Sequence, residues 1–211
     1  GVHGADTGLL EGLGGHATRR EHAQANLAVF DGLEDPLVRD AHAWALEHLP
    51  PPAPAALIHG DLLGQNILLL FDDDRLGLID WENAQLGDPA YDLAIVTRGL
   101  RRPFKTDDGL ARLLDAYAEA GGAPVTAAEV HLWELWLITG WYREALEGAP
   151  GHAPSQYLNH LRGILSRARL ILNTFQSQVI ENKRFADALI PRGTRISMCL
   201  VHSCHLLHGL R

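Results

Sequence analysis

Apolar and polar positions first alternate with a helical period between His16 and about Phe30. A stronger stripe follows, with Leu37, Val38, Ala41, Trp44, Ala45 and Leu49 at i, i+3, i+4 spacing. Asp35-Pro36 places an N-cap and a first-turn proline ahead of this second helix, and Pro50-Pro51-Pro52 ends it. The period then changes. Ala55 to Ile58 is a short apolar strand, and Asn66 to Phe71 is almost wholly apolar, as expected of a strand buried on both faces. Asp72-Asp73-Asp74 is a turn and Leu76 to Ile79 the return strand. After Gly87-Asp88-Pro89 the pattern predicts helices over about 90–100, 107–120, 126–147 and 155–172, the third opened by a Thr126/Glu129 capping box. No repeat or heptad is present. The fold class is therefore α+β, mainly α, with one small β-hairpin.

The ends read differently from this body. Residues 1–15 contain Gly1, Gly4, Gly8, Gly12, Gly14 and Gly15 with little pattern, and predict a loose arm or linker. Residues 16–172 form the lobe. Residues 173–211 hold Cys199, Cys204, Met198 and Lys183, with more Ile, Asn, Ser and Thr. That shift fits either a segment of separate origin or an ordinary helical end, and the sequence leaves both open.

Composition narrows the function class. The chain is 46% hydrophobic and 21% charged over 211 residues, ordinary for a globular protein. No apolar run approaches the ~18 residues of a membrane span, and the N-terminus lacks the pattern of a signal peptide. A formal charge of −8 argues against nucleic acid or anionic membrane as a main partner and is compatible with a cationic substrate. Two cysteines make no disulfide framework, so a cytoplasmic location is expected. Cys199, His202, Cys204, His205 and His208 match no common zinc spacing.

The chemistry concentrates in Leu57-Ile58-His59-Gly60-Asp61-Leu62-Leu63-Gly64-Gln65-Asn66 and Gly77-Leu78-Ile79-Asp80-Trp81-Glu82. Phosphoryl transfer needs a carboxylate to orient the attacking hydroxyl and accept its proton. It also needs oxygen ligands for Mg2+, which takes only one or two protein carboxylates. Asp61 and Asn66 have the H-x-D-x-x-x-x-N spacing that serves these jobs. With Asp72-Asp73-Asp74 as hairpin loop, Asn66 lies opposite Asp80; a four-residue loop shifts the pairing by one. Opposed Cβ atoms are roughly 5 Å apart, so an amide oxygen and a carboxylate there can share one cation.

These residues, with Gly87-Asp88-Pro89-Ala90-Tyr91-Asp92-Leu93-Ala94, resemble the aminoglycoside phosphotransferase family, the protein-kinase-like group that includes choline, homoserine and fructosamine kinases and macrolide phosphotransferases. The resemblance implies a protein-kinase-like C-terminal lobe and transfer of the γ-phosphate of ATP or GTP to a hydroxyl of a small molecule. By position it makes Asp61 the catalytic base and Asn66 and Asp80 the magnesium ligands. His59 would brace the loop, and Asp88 would cap the next helix and hydrogen-bond the catalytic loop. Tyr91 and Asp92 would be structural. Many relatives have His-Pro-Gly where this chain has Leu63-Gly64-Gln65.

The resemblance also implies an N-terminal lobe with a phosphate-covering loop and a lysine, and that lobe is missing from the pattern. Only 58 residues precede His59, none is lysine, and Arg19 and Arg20, which could stand in, fall on a helix. A truncated kinase with poor activity of its own is therefore expected, with a non-catalytic pseudokinase-like remnant or binding module as the rival. Trp133, Trp136 and Trp141 share a helix and read as core before substrate-cleft wall; Glu134 and Glu144 read as solvated surface before contacts for a cationic acceptor. The oligomeric state is open.

Overall fold

Helix α1 (Arg19–Asn26) begins three residues later than its apolar period suggests. The chain ahead of it is spent on another partner: His16 N donates to Leu86 O and Leu86 N to Gly14 O. Thr18 then opens the helix with a capping box, its hydroxyl accepting from Glu21 N while the Glu21 carboxylate accepts from Thr18 N. The computed structural model of the protein describes residues 13–70, 75–151 and 153–170. The expectations for most of the glycine-rich arm and for the tail beyond 172 lie outside those residues.

After α1 the chain tightens into a 3-10 turn, Leu27–Phe30. Helix α2 (Pro36–Glu47) follows, capped by Asp35, whose side chain accepts from Leu37 N. Val38, Ala41, Trp44 and Ala45 of the predicted stripe are buried. Four short strands come next: β1 (Ala56–Ile58), β2 (Ile67–Leu70), β3 (Arg75–Leu78) and β4 (Gln85–Gly87). They form two separate antiparallel pairs, β1 with β4 and β2 with β3. Strand β4 was not legible in the pattern; three residues between a turn and a helix cap carry too little alternation.

The hairpin corrects two expectations. Ile67 pairs with Leu78 and Leu70 with Arg75, the register of a four-residue connection, so Asn66 lies across from Ile79 rather than Asp80. Nor is the hairpin covered on both faces. Leu68 is 44% and Leu76 65% exposed, because among the described residues the sheet has two strands and no element covers that side.

The helical body is α3 (Pro89–Thr97), α4 (Gly109–Glu119), α5 (Ala127–Leu146) and α6, residues 154–170. The ends fall within a few residues of expectation, and the Thr126/Glu129 capping box is present. Helix α3 is apolar nearly all round and buried nearly all round, with Ala90, Leu93, Ala94 and Ile95 inside. It lies along α5, and α2 and the Leu27–Phe30 turn also meet α5. Val130, Leu135 and Ile138 of α5 and Leu161, Ile164 and Leu165 of α6 complete the core. Among the described residues no helix is long and apolar enough to cross a membrane.

Candidate active site

Between β1 and β2 the chain must turn sharply while carrying polar groups, and Gly60 makes the turn. Its φ is +82°, and a Cβ there would collide with the Asn83 carbonyl. The loop is then fastened from below. The buried carboxylate of Asp92, on α3, accepts from His59 N at 2.7 Å and from Gly60 N at 2.9 Å. Asp88 does not make these bonds, contrary to the role implied by resemblance. Asp88 caps α3 by accepting from Ala90 N, but its remaining contacts run to Arg19, His22 and Trp133. The reason is the helical turn: four residues on, Asp92 lies on the same face one turn further along, under the loop. A lone carboxylate among Ala90, Leu93, Ala94 and Ile95 was the available signal for this role.

His59 is wholly buried and bonds at both ring nitrogens. Nε2 lies 2.9 Å from Ile79 O, and Asp61 N donates to Nδ1 at 3.3 Å. A carbonyl only accepts and an amide N–H only donates, so the arrangement selects the tautomer with its proton on Nε2. Trp81 lies against the ring at 4.7 Å between centroids. His59 therefore braces the Asp61 loop to the segment that carries Asp80.

Asn66 ends a 3-10 turn, Gly64–Asn66, with its side chain buried. Its Nδ2 donates to Asp61 O at 2.9 Å and to Asp61 Oδ2 at 3.2 Å. Ile79 N donates to Asn66 O at 3.1 Å. Ile79 is thus held through its N–H by Asn66 and through its carbonyl by His59, and Asp80 is the next residue. Asp80 itself is exposed and left-handed, φ 66° and ψ 58°. Asp tolerates that region better than most residues, and such strained backbone gathers at functional sites. Tyr91 keeps its proton here: burial, helped by the Asp92 and Asp61 charges, pushes its phenol up to about 12.

Beside the loop lies a buried ionic network. Arg19 Nε is 2.7 Å from Asp88 Oδ1, its Nη2 3.0 Å from Glu129 Oε1, and its Nη1 donates to Pro124 O. Trp133 Nε1 donates to Asp88 Oδ2, so Trp133 is core with a polar tie. Glu134 is not solvated surface: it is buried between His131 Nδ1 and the Thr97 hydroxyl. Trp136 and Trp141 are half-buried and Glu144 is exposed.

The network predicts an acid sensitivity. His22 Nδ1 accepts from Asp88 N at 3.0 Å, and burial, then the neighbouring His16, lower its pKa from 6.5 to about 4 against the opposing pull of Asp92. The unfolded chain therefore binds a proton near pH 6.5 that the folded chain refuses until about pH 4. Stability is lost as pH falls through that window, by about 3 kcal/mol in all. Urea denaturation at pH 7 and pH 4.5 should give a smaller difference for His22→Gln than for the parent; equal differences would remove His22 as the cause.

Three comparisons bear on this site. The model of the "Phosphotransferase enzyme family" matches residues 3–133. Viomycin phosphotransferase of Streptomyces vinaceus is 36% identical over 80 residues, 36% of this chain and 22% of that protein. The uncharacterized protein YcbJ of Bacillus subtilis is 34% identical over 92 residues, 44% of this chain and 28% of that protein. A solved macrolide 2'-phosphotransferase type I superposes with a TM-score of 0.53 at 23% identity, covering 76% of this chain and 53% of that one, and shares the fold. The chain thus spans about half the solved structure, and the matched stretches about a quarter of the curated relatives.

Proposed function

We propose that this chain, which belongs to the phosphotransferase enzyme family, carries the acceptor-activating and metal-binding side of a small-molecule kinase that uses ATP or GTP. The observation that carries this reading is the double tie on Ile79, which brings the Asp80 segment against the Asn66–Asp61 pair. In the proposed step the acceptor hydroxyl oxygen bonds to the γ-phosphorus, the bond from that phosphorus to the bridging oxygen breaks, and the hydroxyl proton passes to Asp61. The nucleoside diphosphate leaves.

The donor set fits Mg2+. Asn66 has its amide nitrogen engaged with Asp61, so its oxygen is the atom for a cation, and Asp80 adds an exposed carboxylate. No group of three His, Cys, Asp or Glu side chains that could hold a metal occurs among the described residues, and Mg2+ needs none, since one or two carboxylates suffice. When bound, Mg2+ neutralises charge on the phosphate oxygens. The acceptor is a small hydroxyl-bearing molecule, and the formal charge of −8 is compatible with a cationic one. Aminoglycosides, and with them antibiotic resistance, belong in the first panel to be tried.

The rival reading, a non-catalytic binding module, draws on Arg19. Its guanidinium is buried against Asp88 and Glu129 and is not offered to a phosphate. Metal titration tests the proposal without requiring turnover. With Mn2+ as the probe, Asp80→Asn should keep the left-handed backbone and weaken binding by roughly tenfold, about 1.4 kcal/mol. Unchanged Mn2+ affinity would remove Asp80 from the metal site. Metal binding without phosphoryl transfer to any acceptor, even by a fusion to a relative's N-terminal lobe, would favour the rival.

A further inference from the structure

A cavity of about 580 Å3 opens at the far end of α3 from the catalytic loop. Asp92, on the first turns of α3, holds the loop; Thr97, at the last residue of α3, lines the cavity. Thr97 is five positions on from Asp92, roughly 7.5 Å along the axis. None of Asp61, Asn66 and Asp80 lines it. Its walls are the 99–107 loop, the face of α5 with His131 and Glu134, and the face of α6 with Asn159, Gly163 and Arg167. Its size is that of a small-molecule site.

The chain has a net charge of −8, yet this wall is cationic: Arg101, Arg102 and Arg167 face two carboxylates. One of these, Glu134, is already engaged at both oxygens. Its Oε1 accepts from the Thr97 hydroxyl and its Oε2 lies 2.7 Å from His131 Nδ1. The other, Asp107, pairs with Arg102 at the rim, where the two side chains are 90% and 71% exposed and the attraction is strongly screened. Arg101 has no ion-pair or side-chain hydrogen-bond partner among the described residues. Arg167 donates one Nη2 bond to Gly99 O, which holds its guanidinium at the wall with other donors left over. The cavity thus presents one guanidinium held at its wall, Arg167, and two exposed ones at its mouth, Arg101 and Arg102, donors of the kind that suit phosphate or carboxylate oxygens.

We propose that this cavity, bounded by Arg101, Arg102 and Arg167, binds a small molecule carrying two or more negative charges of phosphate or carboxylate type, at a site separate from the catalytic loop. Two probes test it on the full chain by calorimetry at 0.15 M salt with no divalent metal, where the carboxylates of the catalytic loop repel anions: inorganic pyrophosphate for the phosphate type and citrate for the carboxylate type. Saturable binding of at least one is expected. Arg101→Gln should weaken it by roughly tenfold, the loss of one charge-assisted bond, and Asp61→Asn should leave it unchanged. Amides of the 98–107 loop should exchange more slowly with the probe present, which separates occupancy from a change in folding. Binding of neither probe, or binding indifferent to Arg101→Gln, would overturn the proposal.

Discussion

Asp92→Ala should destabilise the protein by about 2–6 kcal/mol and release the catalytic loop. The side chain is wholly buried and accepts two backbone N–H bonds, from His59 and Gly60. Removing it strands the buried His59 donor and leaves the part-buried Gly60 donor without its partner, at up to about 1–3 kcal/mol each. Against a typical domain stability of about 5–15 kcal/mol that is a large fraction. Asp92→Asn should fall between, because an amide offers one acceptor and turns a donor toward the second N–H. Urea titration gives the free energy, and amide exchange at His59 and Gly60 gives the local consequence. A loss under about 1 kcal/mol with unchanged exchange would mean that the two bonds do not hold the loop.

Asp61→Ala should lower phosphoryl transfer by about 10²–10⁴-fold, the usual range for a positioned general base. Stability should change little, since Asp61 is only half-buried and, among the described residues, its carboxylate accepts a side-chain bond from Asn66 Nδ2 alone. Asp61→Asn is the sharper variant. Its amide oxygen can still accept from Asn66, so the geometry survives while the proton acceptor is gone. Both belong in an assay with Mg-ATP and a panel of hydroxyl acceptors, run on this chain and on a fusion to a relative's N-terminal lobe. Equal turnover by the parent and Asp61→Ala in the same background would exclude Asp61 as the base.

The outcome for individual residues shows which information is local. Asp35-Pro36, Thr126 with Glu129, and Asp88-Pro89 each announce a helix start, because a cap is made by atoms within three residues of one another. The hairpin strands are legible for the same reason, as two apolar runs either side of an acidic turn. The motif around Asp61 and Asn66 was likewise readable from spacing, and the pair does meet through Asn66 Nδ2.

What spacing left undecided depended on partners distant in the chain. Loop length set the register of β2 and β3 and moved Asn66 from Asp80 to Ile79. Strand β4 exists because β1 pairs with it along one edge and the chain at Gly14 to His16 supplies hydrogen bonds to Leu86 along the other. Arg19, an open candidate for phosphate contact by sequence, is claimed by Asp88 and Glu129, 69 and 110 positions away. The loop bonds expected of Asp88 belong to Asp92, because one helical turn separates the carboxylate that anchors Arg19 from the one that holds the catalytic loop. Capping and periodicity are short-range and repeat wherever the residues recur. A buried charge takes whichever partner the packed helices bring within about 3 Å, and only the tertiary structure decides which that is.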